Sequence, residues 1–238
     1  MRRTAETKSW EVRRIAVFGL LLCALLRPVA ASAAGGELEV SLGTLGIAGA
    51  FVQPTGPATD LRLAYGGVDF TRTASFSNLV IDVTANLAVH ETFHVRSLGL
   101  YADHTLHGSF YVTGGLVSNS NRIDGTSIPT DSSVVIDGTS YSQANAGEIF
   151  TVVRWPAIAP YLGFGFGPRG KGRRAGLFGD AGLYYQGRAR VEFSATGAIA
   201  ANYTKFQPYF DEGRRQLTTD LAPLVVYPVI QVGMRFPL

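Results

Sequence analysis

Apolar and polar residues alternate along much of this chain. In the clearest stretch, the odd positions from Leu79 to Val89, then Phe93 and Val95, are apolar, whereas most even positions are polar. A period of two is that of a β-strand, whose successive side chains point to opposite faces. The stretch therefore predicts a long strand with one apolar and one polar face.

Similar patterns elsewhere predict seven more strands. The final stretch places apolar residues at every second position from Leu224 to Leu238. The eight predicted strands cover residues 38–43, 46–53, 60–74, 79–96, 108–119, 148–167, 174–196 and 224–238. An even number of strands is typical of bacterial membrane barrels. The first two segments can also be interpreted as one strand, which would leave seven.

The predicted connections differ in length. Short turns fall at residues 54–57, 103–107 and 168–173, and long polar segments at 119–146 and 198–222. Short turns at one end and long loops at the other are the arrangement of outer-membrane barrels. Within the long loops, residues 211–222 have the composition of a helix, and the Asp137-Gly138 pair predicts a hairpin over 134–142.

The first 33 residues predict a signal peptide. A basic segment is followed by the apolar run from Ile15 to Leu26 and by Ala31-Ser32-Ala33. The apolar run is shorter than the roughly 20 residues that a spanning helix needs, although a retained anchor helix is the alternative. Six of the 21 basic and two of the 18 acidic residues lie in this leader, which leaves 15 against 16. The basic balance therefore gives no reason to expect a nucleic-acid partner.

The sequence thus predicts an all-β fold: residues 34–238 form an eight-stranded antiparallel transmembrane β-barrel. A soluble sandwich or a lipocalin-like barrel is the alternative, since these folds alternate too. The polar phase holds charges and amides, and the last strand resembles the C-terminal signal read by the barrel-assembly machinery. Its residues are Gln231, Gly233, Phe236 and Leu238, although Phe236 is followed by Pro237 and Leu238 instead of ending the chain. We expect the protein to lie in the bacterial outer membrane, with membrane lipid and the assembly machinery as its partners.

Several segments resemble one barrel family. The stretches 158–168 (IAPYLGFGFGP), 177–187 (LFGDAGLYYQG) and 136–144 (IDGTSYSQA), with Gly43-Thr44-Leu45-Gly46, are similar to the CarO-type ornithine-uptake porins. The similarity covers residues 134–193 well and residues 43–70 in part. It implies a small eight-stranded outer-membrane barrel implicated in the passage of basic amino acids. Glycines and aromatic residues carry it, so it supports the fold more than the transport role.

The polar phase of the strands predicts which side chains line the interior, because a charge that faces lipid at mid-membrane costs roughly 2–4 kcal/mol. The candidates are Arg62, Asp82, Arg96, Asp180, Gln186, Arg188, Arg190, Glu192, Gln231 and Arg235. They could form a polar path for small solutes such as basic amino acids, or they could pair and plug the interior. Eight strands enclose a space that side chains alone can fill, which favours the plug.

Other functions have weaker support. A lipid A-modifying barrel enzyme would need a histidine beside a nucleophile, and no motif links His90 or His94 to one. Those two histidines share a face but lie about 13 Å apart along a strand, too far for one metal ion. We therefore expect no catalytic residues, no metal site and no cofactor. A structural or adhesive barrel that acts through its outer loops also remains open.

Overall fold

The structure, a computed structural model, describes residues 35–77, 83–84, 86–136, 138–168 and 175–238. The predicted signal peptide (residues 1–33) and Asp82 lie outside this part. The described part contains fourteen strands: β1 (Glu37–Gly43), β2 (Gly46–Pro54), β3 (Thr59–Ser77), β4 (Val83–Thr84), β5 (Asn86–His107), β6 (Phe110–Asn119), β7 (Arg122–Pro129), β8 (Ser133–Ile136), β9 (Thr139–Ser142), β10 (Ile149–Arg154), β11 (Ile158–Phe166), β12 (Gly176–Tyr185), β13 (Arg190–Ala195) and β14 (Val226–Pro237).

Eight of these strands close into a ring. The order around it is β1, β2, β3, β5, β6, β11, β12 and β14, and β14 pairs with β1 again. Every pairing is antiparallel. The predicted eight-stranded antiparallel barrel is therefore confirmed. Its first two strands are separate and form a tight hairpin through Thr44 and Leu45.

The ring continues at one end into a second part of the same sheet, which we call the extension. The 22 residues of β5 pair with β6 over residues 97–107 and with β7 over residues 87–94. β10 and β13 follow β7 in register, and β3 flanks β5 along both parts. The extension lies at the end of the barrel opposite to Glu37 and Pro237, where the sequence predicted the long loops.

Helices and a small sheet cover the extension. The helices are α1 (Gln143–Ala146), α2 (Gly197–Ala201) and α3 (Tyr203–Asp220), followed by a 3-10 helix (Ala222–Val225). The predicted loop helix is thus longer and starts earlier than residue 211. β8 and β9 form the hairpin expected over residues 134–142, and β4 pairs with β8. None of the described helices is long and apolar enough to cross a membrane.

Alternation along β1 shows how the sequence sorts the two faces of the ring. Glu37, Glu39 and Ser41 are buried, whereas the residues between them are exposed and apolar. The other ring strands add to the same outer surface, which we call the apolar belt. Among its exposed members are Leu38, Val40, Leu42, Ile47, Phe110, Leu116, Ile158, Leu162, Phe164, Phe166, Leu177, Leu183, Ile230, Val232 and Met234.

The inside-outside phase reverses between β12 and β13. Asp180, Tyr184 and Gln186 are buried, but beyond Gly187 the buried residues are Ala189 and Val191. Gly187 adopts a positive φ of 73°, a conformation that side chains other than glycine rarely allow. The break therefore turns Arg190 and Glu192 outward, while Val191 packs with Val153 in a cluster that Leu217 of α3 also joins.

The barrel interior as candidate functional site

Arg62 is the centre of a buried charge network. It lies on β3 with 4% of its side chain exposed. Its Nη1 is 2.6 Å from Asp180 Oδ2, and its Nε is 3.0 Å from Asp103 Oδ2. Asp180 also accepts a hydrogen bond from the Tyr111 hydroxyl, and Asp103 accepts one of 2.7 Å from Thr113. These polar partners offset the desolvation of the buried carboxylates.

Glu39 links this network to a second buried guanidinium. Its Oε2 lies 3.6 Å from Arg62 Nη1, and its Oε1 accepts a hydrogen bond from Arg235 Nη2. Arg235, which is fully buried, is also 3.4 Å from Glu37 through Nε and donates to the Pro168 carbonyl oxygen at 3.1 Å. The two arginines and their acids therefore form one continuous network near the end of the barrel that holds Glu37 and Pro237.

Among the residues that the structure describes, acids outnumber bases in this interior. Buried carboxyl groups belong to Glu37, Glu39, Asp60, Asp103 and Asp180, whereas the buried basic side chains are Arg62 and Arg235. Asp60 stands directly opposite Asp103 in the β3–β5 register. Like charges at such positions repel one another, and the ion pair of Arg62 with Asp103 offsets part of this repulsion. If every group is ionised, this set carries three more negative than positive charges.

Tyrosine rings fill the barrel above this network. Tyr101 and Tyr161 meet edge to face with their ring centroids 5.0 Å apart, and the Arg62 guanidinium carbon lies 5.0 Å from the Tyr101 ring centroid. The rings lie against glycines: a Cβ on Gly163 or Gly182 would come within 2.4 Å of the Tyr161 hydroxyl oxygen. The cavity that remains here is about 10 Å³, room for about one water molecule.

A layer of amides lies beyond the tyrosines, towards the extension. Asn121 Nδ2 donates to the Tyr184 hydroxyl at 2.8 Å and to Gln186 Oε1 at 3.2 Å. Gln186 Nε2 in turn donates to the carbonyl oxygen of Leu224 at 2.6 Å. Acids, tyrosines and amides thus follow one another along the barrel axis.

The structure brings together only some of the residues predicted to line the interior. Arg62, Asp180, Gln186, Gln231 and Arg235 have buried side chains inside the ring or at its mouth. Four others are outside it. The side chain of Arg96 is half exposed, and its Nη2 lies 2.6 Å from Asp69 Oδ2. The remaining three residues follow Gly187, where the phase reverses, and all are exposed: Arg188, Arg190 and Glu192. Asp82 lies outside the described residues.

Sequence reasoning missed most of the acids of the network. Glu37 and Glu39 alternate with Leu38 and Val40, so the signal was present in the first strand. The pattern predicts a strand that ends at residue 96 and a turn over residues 103–107, so it places Asp103 in a turn, whereas β5 extends to His107. The sequence pattern places Asp60 at the start of the predicted strand 60–74 and does not mark it as a buried acid.

The residues of the predicted sorting signal lie on β14 and just beyond it. Gln231 is buried and Gly233 is half-buried, whereas Phe236 and Leu238 are exposed. The backbone N–H of Leu238 donates to the Gly36 carbonyl oxygen at 2.8 Å. The signal therefore sits at the seam between the last and first strands.

Three histidines of β5 each contact polar side chains on neighbouring strands. His94 Nδ1 is 3.0 Å from Asp69 and its Nε2 is 3.3 Å from Asp124, so carboxylates face both nitrogens. His90 contacts the hydroxyl of Thr73 and His104 that of Thr59, both at 3.0 Å across neighbouring strands. Among the described residues, no cluster of three or more His, Cys, Asp or Glu side chains could hold a metal ion.

Solved structures of similar shape exist. The crystal structure of CarO2 from Acinetobacter baumannii is 23% identical, and the match covers 86% of this chain and 99% of that one with a TM-score of 0.53. The crystal structure of CarO from the same bacterium is 24% identical and covers 84% of this chain and 96% of CarO, with a TM-score of 0.48. Neither a family model nor a curated protein sequence matches the chain. The resemblance noted in the sequence is thus confirmed at the level of the fold.

Proposed function

We propose that this protein is an outer-membrane barrel that admits small cationic solutes, basic amino acids among them. The observation that carries this proposal is the excess of buried carboxylates over guanidinium groups inside the ring. A polar interior lined by one sign of charge selects solutes of the opposite sign. The narrow interior makes passage depend on movement of the side chains that fill it.

The membrane setting follows from the apolar belt. Side chains such as Leu162 and Leu177 are more than 70% exposed on the outer face of the ring, while charged groups are buried inside. A soluble barrel has the reverse arrangement, and a closed ring is the β-structure that satisfies its backbone in lipid. The outer membrane of a Gram-negative bacterium is the membrane in which such barrels occur, and β14 offers the signal for the assembly machinery.

The preference for cations follows from what surrounds Arg62. Three carboxylates, those of Glu39, Asp103 and Asp180, hold one guanidinium group by ion pairs of 2.6–3.6 Å. The guanidinium of arginine presents the same charge and donors, and the ammonium of ornithine presents the same charge with three N–H donors. We therefore expect a basic solute to compete with Arg62 for these carboxylates during passage.

Uptake into liposomes tests the proposal. Residues 34–238, refolded in liposomes, are supplied with labelled ornithine, arginine, glutamate or a neutral amino acid. We expect faster uptake of the two basic amino acids, and a loss of that preference in Asp103→Asn, which keeps the size of the side chain but removes its charge. Glu212→Gln, on the exposed helix α3, is the matched control and should retain the preference. Heat-modifiable electrophoretic mobility shows whether each variant is folded.

A closed structural barrel is the second candidate. The cavity of about 10 Å³ beside Arg62 favours it, because a solute of amino-acid size does not fit there. In that case all four amino acids leak equally slowly into liposomes that contain folded protein. That result overturns the transport proposal and leaves the outer loops as the functional part.

A further inference from the structure

Three arginines stand in one row across the extension. Arg122 on β7 is directly opposite Arg154 on β10, and Arg154 is directly opposite Arg190 on β13. Residues opposed in an antiparallel sheet share a face, with Cα atoms about 4.5–5.5 Å apart, so the row spans roughly 10 Å. Like charges in such positions repel one another.

The repulsion is only partly relieved within the described residues. Arg122 Nε lies 2.6 Å from Asp124, and Asp124 also contacts His94. Neither Arg154 nor Arg190 forms an ion pair with a described residue, although Glu192 lies on the same face. Three guanidinium groups thus share this face with two carboxylates, those of Asp124 and Glu192, which leaves a net positive charge, and Arg190 is exposed to the outside.

The row lies just beyond the apolar belt and on the same outer face. Ile158, the first belt residue of β11, is 60% exposed and follows Arg154 by four residues, at most about 13 Å along the chain. Tyr185, at the end of β12, is also exposed on this surface, where aromatic residues mark the membrane interface. Strand tilt of roughly 35–45° shortens the distance along the membrane normal to about 10 Å. The long arginine side chains can therefore reach the headgroup layer.

We propose that Arg122, Arg154 and Arg190 bind the phosphate groups of outer-leaflet lipid headgroups. The proposal rests on the membrane setting proposed above and not on solute passage. One guanidinium group can donate two parallel hydrogen bonds to two oxygens of a phosphate, which makes arginine the preferred side chain for this ligand. A row of roughly 10 Å is longer than one phosphate needs and fits a headgroup with two phosphates, or two adjacent headgroups. Lipid bound here would also relieve the repulsion along the row.

The test compares two double variants that lose the same charge. Arg154→Gln/Arg190→Gln removes the two arginines that form no ion pair with a described residue, and Arg214→Gln/Arg215→Gln removes two arginines of α3 that are paired with Asp211 and Glu212. Each protein is refolded in phosphatidylcholine vesicles with or without bisphosphorylated lipid A. Native mass spectrometry then measures the lipid A retained. With about 1 kcal/mol for each arginine at an anionic surface, we expect roughly thirty-fold weaker retention in the first variant and little change in the second.

Each other outcome overturns a separate claim. Equal retention by both variants overturns the arginine site. If inorganic phosphate displaces lipid A from the wild-type protein and binds as tightly, the site recognises free phosphate and the assignment to lipid is wrong. Failure of the wild-type protein to insert into vesicles, judged by protease protection without lipid A, overturns the membrane setting itself.

Discussion

Arg62 and Asp180 form an ion pair across the full width of the barrel. Arg62 lies on β3 and Asp180 on β12, and four steps separate these strands in either direction around the ring. Their charged atoms are 2.6 Å apart. The pair therefore ties opposite walls together, while Asp103 holds the same guanidinium from the neighbouring strand.

Removal of the central cation should weaken the fold. Arg62→Met keeps much of the volume but leaves Asp103 and Asp180 buried without a counter-charge, which typically costs about 3–5 kcal/mol. We expect a lower free energy of unfolding in urea, followed by the fluorescence of Trp155 in vesicles. Adding Asp103→Asn and Asp180→Asn to Arg62→Met should recover part of the loss. No recovery would show that packing, not charge, explains the effect.

Glycines beneath the tyrosines should not tolerate a side chain. In Gly182→Ala, the new Cβ would lie 2.3 Å from the Tyr161 hydroxyl oxygen and 2.7 Å from the Leu162 carbonyl oxygen. Overpacking of this kind costs about 1–3 kcal/mol, so the urea midpoint should fall. Gly114→Ala, whose Cβ meets nothing within 4 Å, is the matched control and should unfold like the wild type. Equal stability of both variants contradicts the close packing described here.

The apolar belt can be tested with a single charge. Leu162 is 73% exposed on the outer face of the ring, and Leu162→Arg places a guanidinium in lipid. A charge at mid-membrane destabilises a barrel by about 2–4 kcal/mol, which urea unfolding in vesicles can detect. Thr71→Arg, at an exposed position of the extension, should have little effect. If Leu162→Arg has the same free energy of unfolding as the wild type, the apolar belt does not face lipid.

The loop after β7 should respond to acid. The backbone N–H and the side-chain amide of Asn86 donate to Asp131 at 2.8 and 3.1 Å, and these bonds hold the pKa of Asp131 below its ordinary value. Because the pKa is lowered in the folded state, the stabilisation is present at neutral pH and is lost as the pH falls through that lowered pKa. Carboxyl chemical shifts measure the titration. In Asn86→Ala, which keeps the backbone donor, the midpoint should rise part of the way, and an unchanged midpoint contradicts the assignment.

The ring was predictable because lipid outside and charge inside impose a strict period of two. That period indicated the ring strands, although the predicted strand 79–96 ends before residues 97–107, where β5 pairs with β6, and the predicted strands 148–167 and 174–196 each join two strands of the structure. Composition indicated the outer helix, and the Asp137-Gly138 pair indicated the hairpin. The prediction of the two faces failed where the period changed. Gly187 reverses the phase, so Arg190 and Glu192 were expected inside although they point outward.

The interior network was harder to foresee than the strands. Alternation assigns a side chain to a face, but it does not say which strands lie opposite each other in a closed ring. The meeting of Arg62 with Asp180, 118 positions apart, depends on the order of the strands. β7 was missed because its sequence, RIDGTSIP, is polar and resembles a loop. It forms a strand since the long β5 offers it a partner.

The seam between β1 and β14 also sets an order in time. Glu37 pairs with Pro237 and Gly43 with Gln231, so the first ring strand finds its second partner about 200 residues later. Until β14 has been synthesised, the sheet has two unpaired edges, and its apolar belt is not in contact with lipid. Contacts this distant form slowly, and they cannot begin during synthesis. The ring can therefore close only after the strand that completes the seam has been made, so closure of the barrel comes after synthesis of residues 226–237.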